Sequence, residues 1–147
     1  MEAVVEQWVD AAISSWDASS QEFLRGKRDS FRNPVGHAVR ENLSILLREV
    51  LGQMRAEVIG PTIDALVRIR AVQQFAPSEA VGFVFALRNI LQRASGTVNS
   101  AIDERIDALA LLAFDQYMNC REQIFALRAK DQQMRAQIDQ WESGERA

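Results

Sequence analysis

The chain is poor in the side chains that most often carry chemistry or cross-links. Of 147 residues, one is cysteine and one is histidine. A single thiol, Cys120, cannot close an intramolecular disulfide, which excludes a stapled secreted scaffold and fits a reducing compartment. A single histidine, His37, excludes the paired Glu-x-x-His motifs of a di-iron bundle. There is no Gly-x-Ser-x-Gly, no phosphate-binding glycine-rich loop and no paired Cys/His ligand set. No catalytic residue stands out, and the sequence reads as non-enzymatic, with no cofactor or metal.

A basic excess is also missing. The net charge is −3 and the pI about 5.2, whereas a nucleic-acid surface needs clustered Lys and Arg. The one basic stretch, Arg25–Arg32, is interrupted by Asp29 and reads as a solvated loop. Long apolar runs are absent too. The longest, Ala108–Phe114, falls far short of the roughly 20 residues that span a bilayer. The opening MEAVVEQWVD carries acids where a signal peptide carries bases. The expectation is a cytoplasmic protein with no nucleic-acid partner and no membrane insertion.

Only three prolines and seven glycines interrupt the chain, and helical spacing fills what lies between them. Val5, Trp8, Val9, Ala12 and Trp16 form one stripe of a helix over about 2–16. Ser19 with Glu22 is a capping-box signal for a short second helix. Asn33-Pro34 opens a third, because Asn caps well and Pro suits the first helical position. Its stripe is Val39, Leu43, Leu46, Leu47, Val50 and Met54. Gly60-Pro61 is expected to open a fourth, to about Gln73, and Pro77 a fifth, ending near Ser95-Gly96. The fifth is apolar nearly all round, which predicts a central or partner-covered helix. Gly82 would let another helix approach it closely.

The last helix starts near 97–100 and meets no breaker before Gly144, a length of roughly 60–65 Å. That exceeds the width of a domain this size, so residues 1–115 are expected to form the core and 116–147 to continue the helix as a stalk. The stalk carries a heptad-like seam of Tyr117, Cys120, Ile124, Leu127, Asp131, Met134, Ile138 and Trp141. Asp131 interrupts it, and in a parallel pair Lys130 would face Arg135 of the partner subunit, so the coil is weak alone.

His37 sits in the second turn of the third helix. At 100° per residue it shares a face with Glu41, Ser44 and Arg48, away from the apolar stripe. A haem ligand would have to face an apolar pocket, so a surface histidine is expected, with pH sensing or a partner contact as its remaining functional role. Asp103, Glu104, Asp107 and Asp115 are read as a solvated face with Arg105, and Cys120 as buried packing. Asp64 and Arg68 are spaced to pair. Arg70 falls near the apolar stripe and is read as a structural arginine satisfying backbone carbonyls.

Three blocks together carry a family resemblance: FRNPVGHAVRENL, VRIRAVQQFAPSEAVGFVFALRNIL and RIDALALLAFDQYMNCREQIFALR. In this order, over roughly residues 8–130, the chain resembles the RsbT co-antagonist (RsbRD-type) N-terminal domain. The resemblance implies an all-helical input domain of a stressosome-like regulator, globin-like but haem-free, that dimerises and hands its last helix to an output module. Two departures stand out. Ala76 replaces the serine usual before Pro-Ser, and alanine cannot cap a helix. No STAS or kinase module follows Ala147 in this sequence, so a stand-alone member or an excised sensor domain is expected.

The resulting expectation is an all-α fold of about six helices with a long C-terminal helix. Its function is a regulatory or sensory one, through a homodimer and a protein partner of a signalling complex. Phe83, Phe85, Tyr117, Cys120, Ile124 and Leu127 are the expected interaction or dimer surface. A haem-binding globin-like sensor and a structural adaptor of a larger complex are the alternatives.

Overall fold

A computed structural model describes residues 1–26, 31–73 and 75–146, with residues 145 and 146 described by backbone alone. Six helices follow one another: α1 Glu2–Ala12, α2 Ala18–Gly26, α3 Pro34–Leu51, α4 Ala56–Val72, α5 Pro77–Ser95 and α6 Ser100–Arg146. No strand occurs among the described residues. The fold is all-α, with a long C-terminal helix, as the periodicity predicts. Residues 27–30, the centre of the basic stretch, lie outside the described residues.

α6 packs chiefly on α4 and α5, α3 on α4, and α1 on α3 and α5. Between them sits one core, in which Trp8, Leu43, Leu47, Ile63, Leu87, Ile106, Leu109 and Tyr117 are fully buried. Truncating any of the large members to alanine would cost about 2–5 kcal/mol, because the lost transfer energy is compounded by a cavity. α5 is deeply embedded, with Ala80, Val81, Phe83, Val84, Leu87, Ile90 and Leu91 buried. Gly82 is not a contact point, however: nothing lies within 4 Å of the place its Cβ would take.

Local signals explain several boundaries. Asn33 caps α3, its side-chain oxygen accepting from Gly36 N at 2.9 Å, with Pro34 in the first turn. The same side chain donates from Nδ2 to the Leu24 carbonyl at 2.9 Å, so one buried amide both opens α3 and holds the end of α2. Gly36 permits this, since a Cβ there would lie 2.3 Å from Asn33 Nδ2. α5 ends at Gly96, whose φ of 80° is left-handed and whose N–H returns to the Gln92 carbonyl.

Three boundaries differ from expectation. α1 stops at Ala12, because the chain turns and the Gln21 side chain donates to the Ser14 carbonyl at 3.2 Å and to the Trp16 carbonyl. Trp16 then stacks on Phe75 instead of extending the helix, with centroids 6.1 Å apart. α2 opens at Ala18, so Ser19 lies inside it and not at its cap. α3 ends at Leu51, and α4 begins at Ala56, with Pro61 inside it. The cause is Glu49, buried at the end of α3. Its carboxylate accepts from Arg55 N at 3.0 Å and Arg55 Nε at 2.8 Å, which fixes the reversal ahead of Pro61. Met54, at φ 55°, occupies the left-handed turn position between them.

Candidate functional site

The feature that sets this domain apart is α6. At 47 residues it is about 70 Å long. Its core-facing residues, Ile106, Leu109, Ala113, Tyr117 and Cys120, are buried, and Ile124 is half-buried. From Phe125 to Gly144 every residue is exposed. Leu127, Met134, Ile138 and Trp141 carry the core-facing stripe onward, with only the drift of about 20° per heptad that separates 3.5 from 3.6 residues per turn. These four are more than half exposed. Asp131 pairs with Arg135 along the same helix at 3.2 Å. The seam is thus an apolar stripe with no element of this chain beneath it.

A second exposed stripe runs about a third of a turn around α6 from the first. Leu111, Phe114, Met118 and Phe125 stand at i, i+3, i+7 and i+14, and Leu111, Phe114 and Phe125 are exposed. Arg121 reaches over Phe125 at 5.3 Å. On α5, Arg88 bonds Asp103 and Asp107 of the antiparallel α6. Phe85 lies one turn before Arg88 and Leu111 one turn after Asp107, so this register sets the two exposed apolar residues on the same side of the α5–α6 pair. The bonds with Asp107 and Asp103 hold the Arg88 guanidinium above its ordinary pKa.

Two side chains of α6 also tie it into the domain by bonding backbone carbonyls. The Tyr117 hydroxyl donates to the Phe75 carbonyl in the α4–α5 turn. Arg105 donates to the carbonyls of Val50 and Gly52 at 2.8 and 2.9 Å, satisfying the end of α3. Glu104, Asp107 and Asp115 are exposed, as expected, but Arg105 is not their partner: it holds α3, and Arg88 takes Asp103 and Asp107. Arg70 is the buried structural arginine the sequence suggests. Its guanidinium donates to the Ala12 carbonyl, at the end of α1, and to the Glu79 carbonyl at 3.1 Å. It also faces the rings of Phe75 and Phe83, at 5.7 and 5.0 Å. Burial pushes its pKa down to about 10, so it remains a cation at neutral pH, placed where the α1 dipole favours one. Asp64 and Arg68 pair at 2.7 Å.

The expected interaction residues separate. Phe83, Tyr117 and Cys120 are buried against this chain's own helices and are core, not surface. Burial also pushes the Cys120 thiol pKa up, as an inert thiol requires. Phe85 and Leu127 are exposed and Ile124 half-buried, on two different faces. Leu111, Phe114 and Phe125 were missed as surface. Their own i, i+3, i+14 spacing is legible, but the apolar run 108–114, which holds the first two, masks it. His37 is exposed, beside Glu41 at 3.3 Å. It lines a shallow recess between α1 and α3 with Val5, Arg40 and Ser44. Among the described residues, no group of three His, Cys, Asp or Glu could hold a metal ion. No described helix is long and apolar enough to cross a membrane.

Comparison with curated proteins and with solved structures finds no match. The family comparison does: the RsbT co-antagonist protein rsbRD N-terminal domain matches residues 2–132, taking in all of α1–α5 and α6 past its last half-buried residue. The chain belongs to the RsbT co-antagonist protein rsbRD N-terminal domain family.

Proposed function

We propose that this domain is a non-enzymatic regulatory module of a stress- or signal-response system, acting in the cytoplasm as a homodimer and relaying its state through α6. The observation that carries this is the seam of α6. A stripe that packs the core as far as Ile124 continues for about five more turns with large apolar side chains and no described residue beneath them. Exposed side chains of this size at heptad spacing are the pattern with which one helix packs against another. A second copy brings an identical seam with the same register, and a helix shared between two domains is a direct mechanical link to whatever follows it. The family name, a co-antagonist's N-terminal domain, supports the regulatory half of the proposal.

Light scattering across a concentration series tests it. A mass near twice 16.6 kDa is expected; a chain that stays at 16.6 kDa at high concentration refutes the homodimer. The haem alternative is less well supported, because the single histidine is exposed beside Glu41 and not set in an apolar pocket. A Soret band in protein expressed with haem available would revive it, and none is expected. Pull-down from cells separates the adaptor alternative, which would recover subunits of a metabolic complex instead of a kinase or a stressosome component.

A further inference from the structure

One cleft lies away from the seam and from the α5–α6 face. It has a volume of about 370 Å³, within the range of small-molecule sites. Four separate segments build it: the α1–α2 turn, α2, the start of α3 and the α4–α5 turn. Trp16 and Phe75, stacked with an interplanar angle of 15°, form an aromatic wall. Phe23 and Val35, both more than a third exposed, face the same space. The lining contains one carboxylate, Asp17, and no cationic side chain among the described residues. Asp17 is exposed and makes no ion pair with any described residue. The Trp16 indole N–H is enclosed without a hydrogen-bond partner among the described residues, an unmet donor in the wall itself.

We propose that this cleft binds a small, flat aromatic cation. Its ring would lie on Trp16, whose aromatic face attracts positive charge, since Arg70 already stands 5.7 Å from the Phe75 ring centroid, and its charge would face Asp17. The wall is also joined to α6: the carbonyl of Phe75, which lines the cleft, accepts the Tyr117 hydroxyl. A ligand that shifts Phe75 therefore acts on the helix that leaves the domain. This use as an input site rests on the regulatory proposal, while the binding itself does not.

The test uses the whole chain and two probes of like shape, 1-methylquinolinium and naphthalene-2-sulfonate. The indole N–H resonances of Trp8, Trp16 and Trp141 are followed by NMR, with Trp16→Phe identifying the Trp16 signal. Saturable movement of the Trp16 signal with the cation only is expected. Asp17→Asn, which keeps a good helix-capping side chain, should weaken binding several-fold, and Val35→Lys, at an exposed position, should abolish it. No saturable movement, equal movement of all three indoles, or equal binding of the sulfonate overturns the proposal. In hydrogen exchange, the bound cation should slow the amides of residues 113–121, and Tyr117→Phe should remove that effect while leaving binding intact. Binding with unchanged exchange there overturns the link to α6. Light scattering on the same samples decides the dimer separately, so either proposal can fail alone.

Discussion

The hydroxyl of Tyr117, in the first half of α6, donates to the main-chain carbonyl of Phe75 in the turn between α4 and α5. Tyr117 is fully buried, so its hydroxyl has no water as an alternative. Tyr117→Phe keeps the ring and leaves the Phe75 carbonyl without this donor, at a cost of about 0.5–1.5 kcal/mol. Urea unfolding of the two proteins measures it. Equal stability would mean that the bond contributes nothing.

Asn33 and Gly36 act as a pair. Asn33→Ala removes the α3 cap and the bond to the Leu24 carbonyl together, so a loss at or above the upper end of the usual 0.5–2 kcal/mol range is expected, on the order of 2 kcal/mol. Gly36→Ala pushes a methyl into the Asn33 amide and should destabilise through the same contact. The double variant should then cost less than the sum of the singles. Strict additivity would show that the two act separately.

At the start of α5, Ala76 occupies the cap position with φ −59° and ψ 148° and no side-chain bond. Ala76→Ser supplies an acceptor for the first-turn N–H groups and should stabilise by about 0.5–2 kcal/mol. A rise in Tm of a few degrees is the expected readout. A fall would place the hydroxyl away from those donors.

Glu49 links stability to pH. Its hydrogen bonds from the Arg55 side chain, and then from the Arg55 N–H, hold its pKa below the ordinary value of 4.5. A carboxylate depressed on folding stabilises fully above its unfolded pKa, and that contribution is lost as pH falls through the lower, folded value. Glu49→Gln should therefore be less stable than the parent at neutral pH, with the gap narrowing below about pH 4.5. Denaturant midpoints at several pH values check this; a gap that widens in acid would contradict it.

The two apolar stripes of α6 make separable demands. Ile138→Glu lies on the seam beyond the packed domain and should abolish a stalk-mediated dimer without lowering Tm of the core. Leu111→Glu, on the α5–α6 face, reports on the other stripe. If Leu111→Glu yields monomers and Ile138→Glu does not, the copies meet through the α5–α6 face and the seam takes another partner.

The sequence by itself determined the helical class, the number of helices, the caps at Asn33 and Gly96, the opening at Pro77 and the length of α6. Each of these depends on interactions within a turn or on periodicity along one helix, which residue order encodes directly. The tertiary structure alone decided the rest. α4 starts ahead of Pro61 because the buried carboxylate of Glu49 captures Arg55 across the turn. Tyr117 and Cys120 look like seam residues in sequence, but α4 and α5 cover that part of α6, so the stripe changes from core to surface with no change in pattern. Arg88 and Arg105 find partners 15 to 55 residues away, and the Trp16–Phe75 cleft is assembled from four segments. Contacts at such separations depend on how helices pack in space, and spacing along a single helix carries no record of them.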